Sequence, residues 1–119
     1  MADEPILDTG VLDELRASVG DDEAFISDLI ATYVGEGTDH LEAMEAAAAA
    51  RDAAAIVRPA HTLKSSSAAL GAMRLAQIAR EIEAAGRAGE VEGLAGQVAD
   101  ARTAWDETLS AMRAAGLTP

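Results

Sequence analysis

His61-Thr62-Leu63-Lys64-Ser65-Ser66-Ser67-Ala68-Ala69-Leu70-Gly71, HTLKSSSAALG, is the stretch on which the fold of this 119-residue chain turns. It holds one of two histidines, the only lysine, a run of serines and a closing glycine. Extended back to Ile56, it carries Ile56, Ala60, Leu63, Ser67 and Leu70 at intervals of 4, 3, 4 and 3 residues. That repeat is the apolar stripe of a helix packed on one side. At about 100° per residue, His61 lies roughly 140° from the centre of the stripe and Ser65 roughly 180°. Lys64 sits at the border, about 80° away, one turn from His61. A histidine at that angle is not a core residue. Its remaining readings are an ordinary surface side chain or a group presented for chemistry.

Working outward, Asp52 is the candidate N-cap of this helix and Gly71 its C′ residue. Pro59 falls two residues before the histidine, where it removes a backbone donor and crowds the carbonyl four residues back. The expectation is a kink just before His61; the alternative is a separate turn over 53–57, with the helix starting at Pro59. Upstream, residues 1–9 read as a polar lead-in ending in Asp8 or Thr9 as cap of a short helix to Ser18, with Val11, Leu12 and Leu15 on one face. Gly20 ends it. A long helix follows from about Asp22 to Ala50, with Phe25, Ile26, Leu29, Ile30, Tyr33, Val34, Leu41 and Met44 at helical spacing. Gly35 and Gly37 are candidate bends. His40, with no second ligand at i+4, reads as an exposed surface residue. Downstream, Met73–Ala85 repeats Leu75, Ile78, Ala79 and Ile82, Gly86 and Gly89 make a connection, and a last helix spans Val91–Ala115 with Trp105 in its apolar stripe. A coiled-coil dimer would also explain that stripe, but short loops favour an intramolecular bundle. The fold class is therefore all-α: an up-and-down four-helix bundle with an additional short N-terminal helix, the domain proper covering residues 10–116.

Composition supports this and excludes several functions. Half the residues are apolar, much of that alanine, and 3% are aromatic, which favours close-packed helices over sheets. One domain of this length needs no staples to hold a core, and with no cysteine it has no disulfides. A net charge of −12 is unsuited to nucleic acid or an anionic membrane surface. No apolar run has the length of a membrane span and nothing resembles a signal peptide. The expectation is a cytoplasmic, monomeric protein, and the initiating Met with short tails points to a free-standing one. In this acidic chain Arg58 and Lys64 flank His61 at three residues on either side, an arrangement suited to neutralising an anionic group. Arg74 would add to the field if the following turn folds back. Taken singly, Arg58 and Lys64 also read as ordinary solvated cations. No glycine-rich phosphate loop, Walker pattern or acidic metal pair is present to activate ATP.

The string AHTLKSSSAALGA, followed by Leu75 and the Ile82-Glu83 pair, resembles the signature of histidine-containing phosphotransfer (Hpt) domains, roughly H-x-L-K-G-S-[SA]-x-x-L-G-A. His61, Leu63, Lys64, Ser66, Leu70, Gly71 and Ala72 match it. The likeness extends more loosely from Val11 to Met112. Ser65 departs from it, standing where many members carry glycine. The resemblance implies a phosphocarrier without catalytic activity of its own. It would relay a phosphoryl group between aspartates of response-regulator receiver domains, or of a hybrid histidine kinase's receiver. His61 would be the phosphoacceptor and Lys64 the residue beside its phosphoryl group. Ser65 would keep the approach open and Ser66 cap or orient locally. No cofactor is expected on this chain, since the receiver brings the Mg²⁺. Docking also needs an apolar surface beside the histidine, for which Leu12, Leu15, Ile26 and Ala68 are candidates, each with plain bundle core as its other reading. The alternative function is a helical-bundle module that binds receivers without carrying phosphate; the pairing of His61 with Lys64 favours the carrier.

Overall fold

The computed structural model describes residues 4–117, and among these the chain forms five helices and no strand. They are α1 (Thr9–Ser18), α2 (Glu23–Ala49), α3 (Ala53–Ala69), α4 (Met73–Arg87) and α5 (Leu94–Ala114). Three aspartates start the first three helices. Asp8, Asp22 and Asp52 are extended, and their carboxylates accept from the backbone N–H of Gly10, Phe25 and Ala55, groups that no helical carbonyl can reach. α2 packs on α3, α3 on α4, α4 on α5, and α5 closes on α2. This cycle is the expected four-helix bundle, 44 Å along its longest axis, with α1 added at one end.

One core runs through the bundle. Its largest members include Ile26, Ile30, Leu41 and Met44 of α2, Ile56 and Leu63 of α3, Leu75 and Ile82 of α4, and Leu94, Trp105 and Met112 of α5. Each such side chain contributes about 1.5–3 kcal/mol through removal from water. The one serine in the stripe of α3 has a partner. Ser67 is buried with its hydroxyl 2.8 Å from that of Tyr33, whose ring packs tilted against Trp105 at 5.3 Å. Burial pushes the Tyr33 phenol up to about 12, the Ser67 bond opposing it.

α3 is a single helix that begins after Asp52 and contains Pro59, so the alternative of a separate turn over 53–57 falls, and α2 is one helix through Gly35 and Gly37. Other details differ from the sequence reading. Gly37 serves packing, because a Cβ there would run into the Trp105 ring. Gly86 lies inside α4, where a Cβ would meet Ile56 Cγ2 at 2.7 Å and the Ala53 carbonyl at 2.9 Å. α5 begins at Leu94, after Gly93 turns the chain with φ 83°, leaving Val91 outside it. His40 is half-buried, not exposed. Phe25, assigned to the packed face of α2, is 46% exposed. Ile26, Ile30, Tyr33, Gly37, Leu41 and Met44 take the inward seam, and a neighbour about 100° round the helix cannot join it.

The α3–α4 turn is built on Gly71. With φ 85° it lets Gly71 N–H donate to Ala68 and Ala72 N–H to Ser67, at 3.2 and 2.8 Å, the paired bonds that close a helix through a left-handed C′ residue. The lead-in crosses this turn: Asp8 N–H donates to the Gly71 carbonyl at 2.7 Å, and Arg74 N–H to that of Pro5 at 3.0 Å.

Candidate functional site

His61 stands in the middle of α3 on the side facing α4, its side chain 53% exposed. Its Nδ1 lies 2.9 Å from Oε2 of Glu83, a residue of α4. The Glu83 side chain is only 8% exposed and is held from three sides. Lys64 Nζ reaches Oε1 at 2.8 Å. Arg87, one turn along α4, donates from Nη2 at 2.7 Å and Nε at 3.1 Å to Oε2. A buried carboxylate needs such company, since desolvation alone would favour its neutral form. Here the Lys64 hydrogen bond, then those from Arg87, outweigh burial and with His61 lower its pKa from 4.5 to about 2.

The consequence for the imidazole is chemical. An ionised carboxylate only accepts, so Nδ1 must carry the proton and donate. In the neutral imidazole the lone pair is then on Nε2, the nitrogen that Glu83 does not engage. The bond thus leaves Nε2 as the ring nitrogen that the carboxylate does not engage, on a side chain that is 53% exposed.

The other sequence candidates fall into two groups. Lys64, Ser65 and Ala68 share the face of His61 and line, with Met73, Gln77 and Arg80, a cleft of 490 Å³ between α3 and α4. Ser65 is exposed there. Ser66 turns away, its hydroxyl donating to the Thr62 carbonyl at 3.0 Å. Arg58 is exposed and has no ion pair among the described residues, and Arg74 is used by the lead-in, donating from Nε to the Glu4 carbonyl at 3.0 Å. As docking candidates, Leu12 and Ile26 are ruled out: both are buried core residues. Leu15 and Ala68 are half-buried. Leu15 lines an apolar groove of 180 Å³ with Leu29, Tyr33, Ala69 and Leu70.

Glu83 and Arg87 were not among the sequence candidates, although a signal was available. Glu83 falls about 80° from Leu75 on the helical wheel, beside Ala76 and Ala79 and within the apolar face of α4. A carboxylate on a buried face demands a cation, and Arg87 stands at i+4 in the favourable acid-first order. Among the described residues, no group of three or more His, Cys, Asp or Glu could hold a metal ion, and no helix is long and apolar enough to cross a membrane.

The site is thus a half-exposed imidazole at mid-helix on a four-helix bundle, tied through Nδ1 to a carboxylate of the neighbouring helix. The chain belongs to the Hpt domain family, whose pattern matches residues 28–115. Among solved structures it is similar to histidine-containing phosphotransfer protein B (HptB) from Pseudomonas aeruginosa PAO1. That likeness has 29% sequence identity over 87% of this chain and 88% of that one, with a TM-score of 0.77. No curated protein matched the chain.

Proposed function

We propose that this chain carries a phosphoryl group on His61 between receiver-domain aspartates in a multistep phosphorelay. The observation that supports it most is the bond from Nδ1 of His61 to the buried, ionised Glu83. Nε2 attacks the phosphorus of an aspartyl phosphate on the receiver. A P–N bond forms, the P–O bond breaks, and its electron pair returns to the aspartate as carboxylate. The ring becomes a phosphoimidazolium whose Nδ1–H stays on Glu83, so no proton has to leave. Transfer to the next receiver reverses these steps. The partner supplies Mg²⁺ and the leaving group; this chain supplies position and charge.

Lys64 is the cation best placed to follow the new charge, on a flexible stem one turn from His61. Ser65 and Ala68 leave room for the partner. The receiver's apolar contact falls to Leu15 and Leu29, which line the apolar groove, and to the exposed Phe25 one turn before Leu29. The Ala69 row of α3 that closes this groove neighbours the row bearing His61, Ser65 and Ala68.

The test is incubation with a phosphorylated receiver. Label that is stable in base, labile in acid and absent from His61→Gln is the expected result. Receiver binding without any transfer would overturn the carrier in favour of a pure interaction module.

A further inference from the structure

Glu83 has more positive charge around it than one carboxylate requires: Lys64 on Oε1, Arg87 twice on Oε2, and the His61 ring on Oε2 as well. The two cations differ in kind. Arg87 is on the same helix as Glu83, at i+4 and near the C-terminal end of α4, where a cation is favoured. It therefore travels with the carboxylate. Lys64 comes from α3, binds the oxygen that His61 does not use, and is a single point charge on four methylenes.

We propose that Arg87 is a positioning residue that keeps Glu83 charge-balanced on its own, so that Lys64 is free to leave it for the phosphoryl group. This rests on the carrier reading above. Before transfer the carboxylate has two cations and the phosphoryl group is absent. After transfer Arg87 stays on Glu83 beside the Nδ1–H of the phosphorylated ring, whose own positive charge is offset by the phosphoryl oxygens it carries, and Lys64 faces those oxygens. Without Arg87, Lys64 is the only side-chain cation from outside the ring on a buried carboxylate. Releasing it would leave that carboxylate beside a ring already neutralised by its phosphoryl group, so it stays. The other charged side chain on this face of α4, Arg80, lines the cleft with Lys64 and has no hydrogen bond to Glu83.

The partition of label between a phosphorylated receiver and this chain measures the effect. Arg87→Gln is expected to lower the phosphohistidine fraction, as an equilibrium ratio, by about tenfold. Arg87→Lys restores most of it. In a Lys64→Met background the same Arg87→Gln change costs distinctly less, because there is no lysine left to release. Equal losses in both backgrounds, or no loss in either, overturn the proposal. The Arg87 side chain is 62% exposed, so its replacement removes no core packing, and a thermal melt checks that every variant, the doubly substituted one included, is folded at the assay temperature. Failure of the unmodified protein to take label in the same experiment would instead reject the carrier reading itself.

Discussion

Glu83 shows how much one side chain decides. It sits on a helix face that should be apolar, and its ionisation is held by groups from two helices. Its pKa is lowered to about 2 in the folded protein, below its unfolded value. The stability it contributes is thus fully present above pH 4.5 and is lost as pH falls through the folded value. Comparing thermal or urea unfolding of the wild type with Glu83→Gln should show a constant difference above that range. The difference should shrink steadily towards pH 2. A difference independent of pH across this window would mean that folding does not lower the carboxylate's pKa.

At the scale of the element, α3 and α4 carry the site jointly, and their separation is set by a residue with no side chain. Gly86 allows Ile56, Val57 and the Ala53 carbonyl to come closer than any Cβ would permit. Two of these contacts are side-chain methyls that can shift, but the third is backbone. Gly86→Ala should therefore lose about 1–3 kcal/mol by overpacking, despite the better helix propensity of alanine. Chemical denaturation would measure it. A gain in stability would show that the helices have slack at this crossing. Because His61 and Glu83 face each other across the same pair of helices, the variant should also slow phosphorylation at temperatures where it remains folded.

The whole molecule presents one large exposed apolar side chain among its described residues, Phe25. It lies one turn before Leu29, which lines the apolar groove between α2, α3 and the end of α1. If this flank receives the partner, Phe25→Ser should weaken receiver binding by about tenfold or more with an unchanged melting temperature. Isothermal titration against a cognate receiver would read it, and unaltered affinity would move the interface elsewhere. Leu12→Ala behaves differently. It removes a buried side chain and should lose about 2–5 kcal/mol of stability, so a binding loss there would report folding.

The order of residues alone yields the helical class, the Asp52 cap, the closing turn at Gly71 and the placing of His61 opposite the packed stripe. These follow from local periodicity and local hydrogen bonds, which a single helix carries within its own residues. Helix packing settles that Lys64 places its charge on Glu83, that Arg58 stands apart, and that Leu12 and Ile26 are core while Phe25 is not. It also moved Gly86 from the connection into a helix crossing. Each of these depends on which residue of a second helix comes to face the first. A 3.6-residue repeat states which side of a helix is turned inward, but not what it meets there.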